Sequence, residues 1–209
     1  MSNSRSSAEQ PWLAIDVGGV LFRDGAGAFV ASLPAPDRRA AERIIRSPAA
    51  MALRRGQIDE DVFWSGAAED LPRGYTAQTF REAWYDAYAP NDEIFRWVEE
   101  LQGQISLAIF SGNIISRVEH LEARRPFRRY FCKEIWSYDH GATKPEPAFV
   151  RSLLRVLDTS PSTIFYVDDK SSALRAAQDL GVNGFLYRPG DVATLKARFM
   201  EFHSHLSES

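Results

Sequence analysis

From Asp92 onward, short apolar runs alternate with longer stretches whose apolar residues recur every three or four positions. The runs Trp12-Leu13-Ala14-Ile15, Ile105 to Phe110, Glu134-Ile135-Trp136-Ser137, Ile164-Phe165-Tyr166-Val167 and Phe185-Leu186-Tyr187 read as strands. Ile94, Trp97, Val98 and Leu101 follow helical spacing, and Gly103 ends that helix. A second helix is predicted from about Ile115 to Arg124. A third carries Val150, Leu153, Leu154 and Leu157 and opens at Pro147. Ala173, Ala176, Ala177 and Leu180 form a small-residue stripe before Gly181, and a terminal helix is predicted from Val192 to His203. Strands alternating with helices of this length imply right-handed βαβ units and an α/β, doubly wound, mainly parallel sheet.

The stretch from Gly25 to Tyr88 breaks that rhythm. It has no run that reads as a buried strand. Ala40, Ala41, Ile44, Ile45, Val62, Phe63, Trp64, Phe80, Trp84 and Tyr88 fall at helical spacing, punctuated by prolines. The division expected is a core of residues 11–24 and 90–209, a helical cap at 25–89 and a loose polar tail at 1–10. A cap inserted just after the first strand would hang over the carboxyl ends of the strands.

Composition narrows the function classes. The chain of 209 residues is 44% hydrophobic and 25% charged, enough for one buried core and unlike a disordered chain. A net charge of -3 gives no reason to expect nucleic acid or an anionic membrane as partner. No apolar run approaches the ~20 residues of a membrane span. The single Cys132 points to a reducing compartment and a packing role, and the expected location is cytoplasmic.

The candidate chemistry sits at strand ends, where open α/β sheets bind ligands. Asp16 follows the first strand and leads into Val17-Gly18-Gly19-Val20. Ser111 follows the second, Lys144-Pro145 lies a few residues after the third, and Asp168-Asp169 follows the fourth. A carboxylate nucleophile, a hydroxyl, an ammonium and an acidic pair together suit phosphoryl transfer through an aspartate, with a divalent cation offsetting charge. Asp16, the Gly18 carbonyl and Asp168 are the expected Mg²⁺ ligands, with Asp169 supporting. Ser111 and Lys144 are expected to hold the phosphoryl group, aided by the amides of Gly19, Val20 and Gly112. Arg54 and Arg55 are candidates for substrate contacts from the cap, since a planar guanidinium suits phosphate or sugar hydroxyls.

Asp16-Val17-Gly18-Gly19-Val20-Leu21, Ser111, Lys144-Pro145 and Asp168-Asp169 resemble the four motifs of the haloacid dehalogenase-like (HAD) hydrolases, over about residues 12 to 190. Ile135-Trp136-Ser137-Tyr138 before Gly141-Ala142-Thr143-Lys144-Pro145-Glu146-Pro147 resembles members with a helical, C1-type cap. Arg55-Gly56-Gln57-Ile58-Asp59 followed by Phe63-Trp64 is similar to cap segments of bacterial α-glucose-1-phosphate phosphatases. The resemblance implies a Rossmann-like core, Mg²⁺ and an aspartyl-phosphate intermediate.

One position departs from the family pattern. Most phosphatases of the family carry an acid/base Asp two residues after the nucleophile, where this chain has Gly18. Such a group is typically worth ~10²–10⁴-fold in rate. A good leaving group, a substitute such as His140 or Asp24, or weak activity would each account for the change.

The reading that follows is a Mg²⁺-dependent phosphatase acting on a small phosphomonoester, with sugar phosphates as first candidates. The alternative from another class is an inactive, phospho-ligand-binding regulatory protein. Dehalogenation is disfavoured because the adjacent carboxylates Asp168 and Asp169 would repel without a cation.

Overall fold

The computed structural model describes residues 11–207, so the expected tail at 1–10 lies outside the described residues. In chain order the elements are β1 (Trp12–Ile15), α1 (Gly25–Ser32), α2 (Ala35–Ile45), α3 (Pro48–Arg54), α4 (Glu60–Ala67), α5 (Ala77–Asp86) and α6 (Asp92–Leu101). Then come β2 (Ser106–Ser111), α7 (Ile115–Arg124), β3 (Lys133–Trp136), α8 (Ser137–His140), α9 (Pro147–Leu157), β4 (Ile164–Asp168), α10 (Ser171–Gln178), β5 (Asn183–Leu186) and α11 (Val192–Ser207).

The strands form one sheet in the order β3-β2-β1-β4-β5, with every neighbouring pair parallel. This is the mainly parallel α/β sheet expected from the alternation, doubly wound and Rossmann-like as the resemblance implied. The chain winds outward from β1 through β2 to β3, then returns to the other side of β1 for β4. The switch point lies between β1 and β4, where such sheets open a crevice.

Side chains alternate across the sheet, as the two-residue period of a strand requires. Leu13 and Ile15 of β1, Leu107 and Ile109 of β2 and Phe165 and Val167 of β4 face one layer, packed with α6, α7 and α11. Ala14, Ala108, Phe110, Ile135, Ile164 and Tyr166 face the other, packed with α9 and α10. The first layer is continuous with the apolar faces of α1 to α5. Phe29, Phe63, Trp64, Tyr75 and Phe80 join there through edge-to-face ring contacts. The inserted helices therefore share a core with the sheet.

Three expectations shift at this level. The last strand begins at Asn183, ahead of the predicted Phe185, because its first residues, exposed Asn183 and half-buried Gly184, carry no apolar signal. Ser137 starts α8 rather than ending β3. Cys132 is exposed, its thiol donating to the Leu107 carbonyl at 3.2 Å, so it is not a packed core residue. Among the described residues, no helix is long and apolar enough to cross a membrane.

Candidate active site

Parallel pairing brings the strand ends level. Ile15 is in register with Val167, so Asp16 follows β1 beside Asp168, the last residue of β4. The amide of Asp16 donates to the Val167 carbonyl at 3.0 Å, extending the ladder through the first site residue. Asp16, Asp168 and Asp169 each present a carboxylate oxygen within 4.8 Å of the others.

Lys144 reaches this cluster from the loop between α8 and α9. Its Nζ lies 2.8 Å from Asp16 Oδ1 and 2.6 Å from Asp168 Oδ2. Burial alone would lower its pKa, but Asp16 and Asp168 outweigh that and raise it, so the ammonium stays charged. Asp16 is 6% exposed, and its pKa is raised from 3.8 to about 6. Burial is the main cause; Lys144 opposes it, and the neighbouring Asp168 and Asp169 add to it. Three carboxylates around one buried ammonium leave an excess of negative charge.

The acidic pair is divided in its bonding. Asp168 is fully buried and its oxygens are taken. Oδ1 accepts from the Lys170 amide at 2.7 Å, while Oδ2 accepts from Lys144 and from the Tyr166 hydroxyl. Burial and the adjacent Asp168 push the Tyr166 phenol well above its ordinary pKa, so it donates as a neutral hydroxyl. Asp169 pairs through Oδ2 with Lys170, but its Oδ1 is buried with no hydrogen-bond partner. Gly19 holds this carboxylate in place. At φ +93°, a Cβ on Gly19 would lie 2.4 Å from the Asp169 carboxyl carbon.

A cavity of about 440 Å³ opens over this cluster, lined by Asp16, Gly18, Gly112, Asn113, Lys144 and Asp169 on the sheet side. Ser111 is 1% exposed and sits beneath Gly112 and Asn113, accepting from Asn113 Nδ2 at 3.4 Å. A Cβ on Gly112 would meet Thr143 Oγ1 at 2.6 Å, so this turn can pack against the Lys144 loop only as glycine.

Several expected contributors lie elsewhere. The Gly19 amide donates to the Phe22 carbonyl at 2.7 Å, closing the turn, and is not available to a phosphate. Val20 is fully buried and does not line the cavity. Arg55 caps the end of α3 and donates from Nε and Nη2 to the single oxygen Glu146 Oε1, at 3.0 and 2.7 Å, away from the cavity. His140 packs against Phe149 and does not line the cavity. Asp24 does, but its side chain caps α1 by accepting from the Gly27 amide at 3.2 Å.

The opposite wall comes from the inserted helices and α7. It holds Arg54, Tyr88 and Arg117. The Tyr88 ring fills the space beside Gly18 and Gly25; a Cβ on Gly25 would lie 2.2 Å from it. Arg117 donates to Asn113 Oδ1 at 2.7 Å and to the Tyr88 hydroxyl at 3.0 Å. Its guanidinium lies over the rings of Trp84 and Tyr88. Arg54 has a buried Nε without a partner. Arg117 and Tyr166 were not among the expected site residues. Tyr166 had a signal in the sequence, since a residue two positions before Asp168 in a strand shares its face.

Comparison with known proteins agrees with this architecture. The chain belongs to the haloacid dehalogenase-like hydrolase family, which matches residues 33–186, a span that includes Ser111, Lys144, Asp168 and Asp169. An uncharacterised protein of Dictyostelium discoideum is 27% identical over 90% of this chain and 95% of its own length. A sesquiterpene phosphatase of Aspergillus oryzae is 28% identical over 68% of this chain and 73% of its own. A HAD family enzyme from Bacteroides thetaiotaomicron, an aspartate-to-alanine variant in complex with magnesium and inorganic phosphate, superposes with a TM-score of 0.75 at 19% identity. It covers 87% of this chain and 95% of its own.

Proposed function

We propose that the chain is a Mg²⁺-dependent phosphatase of small phosphomonoesters, with Asp16 as nucleophile. The observation that carries this reading is the buried, unpartnered Oδ1 of Asp169 within the three-carboxylate cluster. Hard oxygen donors with excess negative charge fit a small divalent cation. The phosphatase among the relatives and the magnesium and phosphate held by a fold neighbour support the same reading.

Asp16, Asp169 and the Gly18 carbonyl would hold the cation. Asp168, whose oxygens already serve Lys144, Tyr166 and Lys170, would instead position Lys144. This exchanges the roles that the sequence suggested for the acidic pair. When bound, Mg²⁺ would neutralise charge shared by carboxylate and phosphate.

Both bonds to the Asp16 carboxylate, from the Val17 amide at 2.8 Å and from Lys144, use Oδ1. Oδ2 is left to attack phosphorus. The ester oxygen departs with its electron pair and takes a proton from solvent water, leaving an aspartyl phosphate. Water then attacks phosphorus, releasing inorganic phosphate and restoring the carboxylate. Lys144 and the backbone at Gly18 and Gly112 would bind the phosphoryl oxygens, with Ser111 holding the second turn from below. Residues 25–89 would act as a cap, limiting water to the molecule that completes the reaction.

Gly18 leaves no carboxyl for the leaving group, so substrates with weakly basic leaving groups should turn over best. The test is phosphate release from p-nitrophenyl phosphate and a panel of sugar phosphates with Mg²⁺. Asp16→Asn should lower turnover by at least ~10³-fold. Phosphate release that survives in Asp16→Asn, or that is indifferent to chelator, rules the reading out.

A further inference from the structure

Arg54 and Arg117 form a cationic wall that the proposed chemistry does not require. Neither belongs to an ion pair among the described residues. Arg117 is 3% exposed, with only the neutral partners Asn113 and Tyr88. Among the described residues the Arg54 side chain makes one hydrogen bond, to Met51 sulfur at 3.8 Å, and its Nε has no hydrogen-bond partner. Both guanidinium groups line the same cavity as Asp16. Burial and the proximity of Arg117 lower the Arg54 pKa to about 10, as expected of two like charges brought together out of water.

Buried cations normally have a counter-charge within the protein, and leaving them without one destabilises the fold. Here Asp16, the carboxylate that acts on Arg54, is already claimed by Lys144. Arg117 is also held rigidly: Asn113 and Tyr88 take its Nε and Nη1, and two aromatic rings stack against it, so Nη2 is presented in one direction. A cavity of about 440 Å³ has room for a phosphoryl group and a small organic body beyond it.

We propose that Arg54 and Arg117 form a subsite for a second anionic group, so that the natural substrate is a phosphomonoester bearing a further phosphate or carboxylate. This rests on the phosphatase reading above and narrows its substrate class. The transferred phosphoryl group sits with Lys144 and the sheet-edge backbone, and the second anion meets the two guanidinium groups. Each supplies charge-assisted hydrogen bonds in a water-poor setting, where they are strongest.

The experiment compares matched pairs by Mg²⁺-dependent phosphate release: fructose 6-phosphate with fructose 1,6-bisphosphate, and glycerol 3-phosphate with 3-phosphoglycerate. In the unmodified protein, kcat/KM should favour the doubly anionic member of at least one pair by ~10-fold or more. Preference in the first pair alone assigns the subsite to phosphate, and in the second alone to carboxylate. Arg54→Gln and Arg117→Gln should each remove most of that preference, chiefly through KM, and Arg117→Lys should restore part of it. Arg54→Met should raise the melting temperature of the ligand-free protein, because it removes a half-buried charge that has no ion-pair partner; a merely structural arginine would give the opposite shift. No preference in either pair overturns the proposal. So does an equal loss for both members of a pair, which would assign the arginines to the transferred phosphoryl group. If no compound, p-nitrophenyl phosphate included, is turned over, the phosphatase reading fails. The subsite is then judged by calorimetric titration of each pair into Asp16→Asn with Mg²⁺: tighter binding of the doubly anionic member, lost in Arg54→Gln, supports it, and equal affinity sinks it.

Discussion

The two walls of the cavity treat charge in opposite ways. On the sheet side, each charged group of the cluster is paired within the protein: Lys144 bridges Asp16 and Asp168, and Lys170 pairs with Asp169. On the helical side, Arg54 and Arg117 have neutral partners or none. The sheet wall is built to stay assembled around a small cation. The helical wall is completed by something the chain does not supply. Fixed chemistry and adjustable specificity thus occupy separate elements, joined by Tyr88 where the Arg117 clamp meets the turn at Gly18.

Breaking the sheet wall should have the largest consequence. Lys144→Met leaves Asp16 and Asp168 buried without their cation, a loss of the kind that costs ~3–5 kcal/mol. Urea unfolding should show it, and Mg²⁺ should recover part of the deficit. An unchanged midpoint would mean that the bridge contributes nothing.

The pH dependence of the cation-free protein sharpens the same point. Asp16 has its folded pKa raised from 3.8 to about 6, so the native state binds more protons than the unfolded state between those values. Its contribution to stability is complete below about pH 4 and is lost as pH rises through about 6. At ~1.4 kcal/mol per pKa unit, the carboxylate costs ~3 kcal/mol at neutral pH in chelator. Asp16→Asn should flatten the urea midpoint between pH 5 and 7.5, and a profile as steep as that of the unmodified protein would refute the assignment.

A smaller effect is expected from Gly19→Ala. The added methyl meets the Asp169 carboxylate and must adopt φ +93°, a strain of order 1–3 kcal/mol. Displacing Asp169 should raise the Mg²⁺ concentration for half-maximal activity by ~10-fold. An unaltered Mg²⁺ requirement would show that Asp169 is not a ligand. Least of all should follow from Arg55→Gln: its pair with Glu146 is partly solvated, worth under ~1 kcal/mol. Substrate preference should not move, in contrast to Arg54→Gln.

The sheet wall was legible because strand ends in a parallel sheet are positions in the sequence. An apolar run followed by a polar residue marks one, and βαβ winding brings all such ends to one edge. Asp16, Ser111, Lys144, Asp168 and Asp169 needed no further information to be grouped. What each does was less legible. The acidic pair looks symmetric in sequence, and only the bonds to Tyr166 and Lys144 separate Asp168 from Asp169. Gly19 looked like a phosphate-binding amide, yet the turn uses that amide internally.

The helical wall resisted reading for a geometric reason. Successive helical residues point about 100° apart, so adjacency in sequence does not mean a shared target. Arg54 faces the cavity, while Arg55, at the C-cap of the same helix, reaches Glu146. Arg117 lies in a different element from Arg54, and the two line one cavity only through the tertiary fold.

The alternation of strands and helices, the parallel winding of the sheet and the placing of polar residues at its strand ends follow from this sequence alone, because they depend on local periodicity and on the handedness that backbone sterics impose. Which carboxylate oxygen stays unpartnered, which amides are spent on turns and which arginines stand unpaired were decided by packing between distant segments. Those outcomes depend on distances of a few ångströms that no local pattern encodes.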